Sequence, residues 1–387
     1  ESAPGRGSFI ARLGEGAGPA PKSLLYLSHT DVVPATEGWD FPPFCGEIRD
    51  GFVLGRGALD CKGLVAAQAH AILHLARHSR LQGRLIFAAT ADEEAGGANG
   101  VHYLLENHAP KLTADFAINE GAGEPLRVGE EVAYFVQVGE KGPAWTTLRA
   151  KGVSCHGSVP GLGDNAVARM ARAVAGLADY RPQIVLIPEV RDLLQGLARM
   201  KGVDEEVNEQ NVERVIDLFE ERAFAEYLRA ITRMTVAPTM MQGGSKVNIV
   251  PDSAQADVDI RVLPGQDRGF VLAELRKLVE ENIEVDIPVS DPPTFSPSDS
   301  PHYRLIQDTL RGVVGDVACL PSISSGATDS RYLRRKGIPA YGVSIMSPNF
   351  DPSLRETIHG KNERIDLESL KLSSQFFISL AESYLSG

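Results

Sequence analysis

Leu24-Leu25-Tyr26-Leu27-Ser28-His29-Thr30-Asp31, residues 24–31, decides the fold. Four apolar side chains in a row run straight into a histidine and an aspartate. A continuous apolar run of this length reads as a strand buried on both faces, as in the parallel sheets of α/β domains. Leu85-Ile86-Phe87-Ala88-Ala89 repeats the pattern and runs into Asp92-Glu93-Glu94, and Phe116-Ala117-Ile118 runs into Asn119-Glu120-Gly121. From Gly63 to His78, apolar residues recur at helical spacing, which predicts a crossover helix. Ligands of open α/β sheets bind outside the carboxyl ends of the strands. The acidic and histidine clusters fall there.

From about Lys141 the texture changes. Thr146 to Ala150, Thr235 to Ala237 and Ala254 to Val262 read as strands. Ala166 to Ala178 reads as an amphipathic helix with Asp164 as its N-cap, and Gln266 to Glu281 as a second helix. This order predicts a small α+β (ferredoxin-like) layer, one sheet with two helices on one face. The acidic stretch from Asp204 to Arg222 has helical period and reads as a solvated face within that layer. Pro292-Pro293 and Ser296-Pro297-Ser298 mark the return linker. Beyond it, Tyr303 to Arg311, Ser330 to Arg335, Ala340 to Ser344 and Leu367 to Leu385 resume the α/β pattern. The expected architecture is an α/β catalytic domain with a mixed, mostly parallel sheet in two parts, 1–141 and 293–387, interrupted by an inserted unit at 142–292.

The chain has 387 residues, more than one core usually supports (roughly 250–300). With 39 Lys+Arg against 51 Asp+Glu the formal charge is −12, and no basic block offsets it. That balance argues against a nucleic-acid or anionic-membrane partner. No run of about 18 apolar residues is present, which excludes a spanning helix in the sequence. The four cysteines, Cys45, Cys61, Cys155 and Cys319, form no CxxC pair, so a disulfide framework is not expected and a reducing, cytoplasmic setting is. The chain opens on Glu1-Ser2-Ala3-Pro4 without Met or a signal-like segment, and its start is expected to be incomplete.

Several residues carry chemistry. His29 and Asp31, one residue apart at a strand end, point to the same side, and such a carboxylate can fix the tautomer of a metal-binding histidine. Asp60 sits in Gly55-Arg56-Gly57-Ala58-Leu59-Asp60-Cys61-Lys62-Gly63, just before the helix. Glu93 and Glu94, taken as extended chain, face different directions, so one can hold metal while the other accepts a proton from the attacking water. Glu120 ends a third apolar strand, and His359 precedes the last helix. Two histidines and three carboxylates, with a spare Glu, suit a pair of divalent ions. His70, His74 and His78 lack carboxylate company and read as surface-helix residues. Cys61 and Cys155 read as packing residues.

Ser28-His29-Thr30-Asp31-Val32-Val33-Pro34, Gly55 to Gly63, Asp92-Glu93-Glu94, Asn119-Glu120-Gly121, Cys155-His156-Gly157-Ser158 and His359-Gly360 occur in an order that resembles metallopeptidase family 20. These are dizinc exopeptidases and amidohydrolases that include carboxypeptidase S, aminoacylase, acetylornithine deacetylase and succinyl-diaminopimelate desuccinylase. The resemblance runs over nearly the whole chain. It implies that Asp60 bridges two ions, with His29 and Glu120 completing one and Glu94 and His359 the other. The ions are expected to be Zn2+, with Co2+ or Mn2+ as alternatives. Glu93 would be the general base and Asp31 would orient His29. His156, on the insert, would reach a partner's active site in a homodimer and stabilise the oxyanion. Asn248, Arg261 and the glycine turn at Gly326 would hold the substrate, Arg261 as a fork for a carboxylate.

The resemblance implies hydrolysis of an amide bond beside a free carboxylate. Asp164-Asn165-Ala166-Val167 and Thr328-Asp329-Ser330-Arg331 are closest to the carboxypeptidase S and aminoacylase branch, which favours N-acyl amino acids or short peptides. A biosynthetic deacylase of the acetylornithine or succinyl-diaminopimelate type is the alternative within the class, and a non-catalytic relative the alternative outside it. Two departures stand out: a helix and a first strand that the family carries upstream are expected to be absent, and Cys61 occupies a position where relatives often differ. The insert is expected to serve as lid and dimer interface, hinged near Gly142 and Pro293.

Overall fold

The structure is a computed structural model describing residues 1–14 and 21–386. At its centre four strands run parallel in the order Arg84–Thr90, Ser23–His29, Phe116–Asn119 and Ala340–Gly342. Every residue of Ser23–His29 is buried, because both faces of the strand are covered. Leu24 and Tyr26 meet helices Lys62–His78 and Leu367–Leu385 in one core, while Leu25 and Leu27 join Val101, Leu104 and Leu333 in another. The apolar run therefore has to be continuous: alternate side chains serve opposite layers.

Towards the sheet's rims antiparallel pairing enters. Phe9–Leu13, a strand the sequence reading did not single out, pairs antiparallel with Arg84–Thr90. At the other rim, Glu131–Glu140 takes Pro125–Val128 and Thr294–Phe295 antiparallel and Ala318–Ser324 parallel.

The inserted sheet is antiparallel throughout, ordered Thr235–Gly243, Ser253–Val262, Gly142–Lys151, Ile283–Ser290. Ser253–Val262 alternates buried and part-exposed residues, the mark of a sheet covered on one face. Helices Ala166–Asp179 and Arg268–Leu275 cover that face through Met170, Leu177, Val271 and Leu275. The N-cap of the first helix is Asn165, which accepts from the Ala168 N–H at 3.0 Å; Asp164 instead bonds Arg169 at 2.6 Å. The second helix is shorter than the periodicity suggests. A side chain at Gly142 would run into the Asp291 carbonyl and Pro293, so the two connections to this sheet pass in close contact.

Residues 188–231 depart from the sequence reading. They form helices Pro188–Met200, Val212–Ile216 and Arg222–Ile231, and Val190, Leu194, Leu197, Leu228 and Ile231 are buried in the large core rather than in the inserted layer. The acidic stretch is not a solvated helix. Within it one short α-helix, Val212–Ile216, precedes the helix that starts at Arg222, and Val207, Val212, Ile216 and Phe219 are buried.

Candidate metal centre

The carboxyl ends of the parallel strands bring the chemistry together. His29 closes one strand, Glu120 follows Phe116–Asn119, and Glu93 and Glu94 follow Arg84–Thr90. The two glutamates lie in a 3₁₀ turn, Glu93–Ala95, and not in extended chain. Asp92 before them has φ +73°, a conformation that costs a non-glycine residue energy and is stored where the surrounding structure enforces it. A small three-stranded sheet does the remaining positioning. Arg364–Asp366 pairs with Phe52–Leu54, which docks the His359 segment against the loop carrying Asp60.

Asp60 stands between the two histidines. Its Oδ1 is 3.1 Å from His29 Nε2, and its Oδ2 is 3.0 Å from His359 Nε2. Glu120 Oε2 lies 3.3 Å from His29 Nε2, and Glu94 Oε2 lies 3.2 Å from His359 Nε2. Two groups of ligand atoms result, His29-Asp60-Glu120 with the Cys61 thiol, and Asp60-Glu94-His359. They share Asp60, one oxygen to each.

The donor set fits a pair of divalent cations. Imidazole nitrogen and carboxylate oxygen are the ligands zinc takes, and three carboxylates in so small a space need positive charge. Burial and then Asp60 push Glu94 up from the usual carboxylate range, and its buried Oε1 has no hydrogen-bond partner among the described residues. Burial opposes ionisation of Asp60, but the two histidines outweigh it and hold its carboxyl low.

Asp31 connects the histidine to the glutamate turn. His29 Nδ1 is 3.0 Å from the Asp31 carbonyl oxygen and 3.6 Å from its carboxylate, so the main-chain oxygen is the nearer acceptor. The Asp31 carboxylate itself accepts the N–H groups of Glu93 and Glu94 at 3.2 and 3.1 Å. Glu93 lines the cleft, and burial, then Glu120 and Asp329, push its carboxyl up to about 9. The Cys61 thiol is pushed up to about 12 by burial and Glu120, and it bonds the main chain of His29, at 3.3 Å from its N–H and 3.5 Å from its carbonyl. A neutral thiol so engaged serves packing, since the thiolate is the ligand form.

The cleft over these groups measures about 880 Å³. Arg261 and Gly326 line it, as do Arg331 and Arg335, which sequence reasoning did not single out. His156 and Asn248 are not brought to it. Both are exposed, and they sit together, the Gly157 N–H donating to the Asn248 carbonyl at 2.8 Å while His156 Nδ1 meets Ser158 Oγ at 2.7 Å. Glu363 and Arg56 were also missed, although both hold the Asp60 loop. The only hint was a glutamate four residues after His359.

Known proteins resemble this chain in sequence and in fold. The chain is 31% identical to "N-fatty-acyl-amino acid synthase/hydrolase PM20D1" of Homo sapiens, over 95% of this chain and 75% of that protein. It is 30% identical to a "Probable succinyl-diaminopimelate desuccinylase" of Staphylococcus epidermidis, over 92% of this chain and 83% of that one. In fold it resembles the M20 family metallo-carboxypeptidase Sso-CP2 from Sulfolobus solfataricus, with TM-score 0.70 and 21% identity over 97% of this chain and 87% of that chain. The sequence profile of Peptidase family M20/M25/M40 matches residues 25–383, and the chain belongs to that family.

Proposed function

We propose that the protein hydrolyses the amide bond of N-acyl amino acids, with short peptides as secondary substrates. The observation that carries this reading is the Asp60 carboxylate shared between His29 and His359, with Glu93 beside it in the cleft. His29, Asp60 and Glu120 would hold one divalent ion, and Asp60, Glu94 and His359 the second; zinc fits this donor set first, cobalt or manganese next. When bound, the ions would polarise the scissile carbonyl and make water more acidic.

The chain's own residues supply the rest. Glu93, lining the cleft beside the ligand carboxylates, accepts the proton of the attacking water in its ionised form and returns it to the leaving amine. Asp31 fixes the Glu93-Glu94 turn through two N–H groups and faces His29 Nδ1. Arg261, with Arg331 and Arg335 on the same wall, receives the substrate carboxylate, and Gly326 leaves room for it. His156 and Asn248 act on a second chain's cleft in a homodimer formed through the inserted sheet; their exposure and their absence from the lining of their own cleft support this. No helix among the described residues is long and apolar enough to cross a membrane, and the four free cysteines support a reducing compartment such as the cytoplasm.

The relatives' names favour acyl amino acids and keep a desuccinylase as the second reading. Hydrolysis of N-acyl amino acids, N-succinyl-diaminopimelate and dipeptides by the metal-loaded protein separates them. Cleavage of the first group supports the proposal, and cleavage of the succinyl substrate alone replaces it with the second reading.

A further inference from the structure

A second cavity of about 410 Å³ opens beside the catalytic cleft and shares Gly121, Glu124, Gln137 and Ser324 with it. Much of its wall is apolar, with Glu221 and Glu356 also on the lining. Leu126, Phe135 and Ile323 come from the rim of the main sheet, and Ala223, Phe224 and Tyr227 from helix Arg222–Ile231. Phe224 stacks on Phe135 at 6.1 Å between ring centroids and lies 6.1 Å from the Tyr227 ring. The Tyr227 hydroxyl donates to the Ile323 carbonyl at 2.9 Å, so its polar tip is satisfied and its ring is left to form wall. Arg355, at the rim, is paired with Glu124. This is why the packing of residues 188–231 against the large core matters: that segment builds one side of the annex.

Gln137 stands at the junction. It is 5% exposed, borders both spaces, and its Nε2 has no hydrogen-bond partner among the described residues. A buried amide donor left unpaired is costly unless a ligand meets it. Gly121 is what allows it there: with φ +145°, a Cβ would come within 2.6 Å of Gln137 Oε1.

We infer that the annex receives the apolar acyl chain of the substrate, with Gln137 donating to the polar group at the chain's head. This rests on the amidohydrolase reading above. Arg261, Arg331 and Arg335 line the cleft and none of them lines the annex, so the carboxylate end of the substrate and its apolar end are claimed by different walls. At about 30 Å³ for each water-sized group the annex holds on the order of ten carbons. Each methylene moved from water into it favours binding by roughly threefold to fourfold.

The test is kcat/KM of the metal-loaded enzyme on two substrate arms. One carries acetyl, hexanoyl, decanoyl and hexadecanoyl chains on one amino acid; the other keeps acetyl and varies the amino-acid side chain. Expected is a roughly threefold to fourfold rise per methylene that flattens near ten carbons. Ala223→Trp, which fills the annex from an exposed helix position, lowers the decanoyl-to-acetyl ratio by at least about tenfold, and Ala223→Asp, which charges its wall, does the same. A flat chain-length profile with acetyl substrates turned over overturns the inference and leaves the amidohydrolase reading standing. So does a rise that neither variant alters, or selectivity that follows only the amino-acid side chain. No turnover in either arm overturns both.

Discussion

Glu363 is bonded to Arg56 at 2.6 Å with both side chains essentially out of solvent, 0% and 1% exposed. The glutamate also accepts the N–H groups of Gly57, Leu59 and Asp60 at 2.9, 2.8 and 3.0 Å. Arg56 in turn donates to the Gly360 carbonyl at 2.6 Å. One buried pair therefore ties the segment bearing His359 to the loop bearing Asp60, residues some three hundred positions apart in the chain.

Removing one partner leaves the other charged and buried. Glu363→Ala is expected to cost about 3–5 kcal/mol of stability. It is also expected to weaken metal binding by roughly 10–100-fold, because Asp60 loses its support. Urea unfolding and a zinc-competition titration check the two effects. Stability lost without any change in metal affinity would mean that the pair holds the fold and not the site.

The contrast between Glu363 and His29 explains what was legible in the sequence. His29 ends an apolar strand, and the rule that sites gather at carboxyl ends of parallel strands points to it, to Glu93 and Glu94, and to Glu120. Glu363 and Gln137 carry no such local signal, since a single buried polar residue among ordinary neighbours has no period. Phe219 and Val212 were hidden in the same way. Their apolar groups are interleaved with the charges of 204–222, and only the tertiary packing shows that they face a core. Arg331 and Arg335 fall in a stretch that read only as part of the resumed α/β pattern; that it is a helix, Ser330–Arg335, and that it faces the cleft are shown by the tertiary structure.

Glu93 gives the metal-free protein a distinctive pH dependence. Its carboxyl is raised in the folded chain from the usual 4.5 to about 9. Between those limits the folded state holds a proton the unfolded state has released, so stability falls as pH rises through the window. Glu93→Gln removes that slope. Thermal melts of chelator-treated wild type and variant from pH 5 to 9 are expected to converge at low pH. Above neutrality the variant is expected to be the more stable. Parallel curves would contradict the assignment.

Lys141 makes the opposite case. It is 1% exposed, and its ammonium donates to the carbonyls of Ala230 and Arg233 at 2.8 Å each and to Thr235 Oγ1 at 3.1 Å. Burial, then Arg261, lowers it to about 7. Between pH 7 and 10.5 the unfolded chain binds the extra proton, so this group adds stability as pH rises. Lys141→Met leaves three acceptors unpaired and costs about 1–3 kcal/mol for each one kept from water. The gap between wild type and variant is expected to widen from pH 7 to 10, read from denaturation midpoints. A constant gap would show no linkage at Lys141.

The exposed pair His156 and Asn248 predicts complementation. His156→Ala and Glu93→Gln are each expected to be inactive alone. If one chain's His156 serves another chain's cleft, mixing the two after mild dissociation restores up to about a quarter of wild-type turnover, because heterodimers contain one intact composite site. No recovery in a mixture shown by mass to contain heterodimers would mean that His156 does not serve the other chain's cleft.

The shared Asp60 and the separate Glu93 are best tested by one paired measurement: bound metal per chain and turnover of an N-acyl amino acid, for wild type and Glu93→Gln. The geometry predicts two ions per chain in both proteins, with turnover lost by several orders of magnitude only in the variant. Retained turnover in Glu93→Gln, or loss of metal with the glutamate, would contradict it.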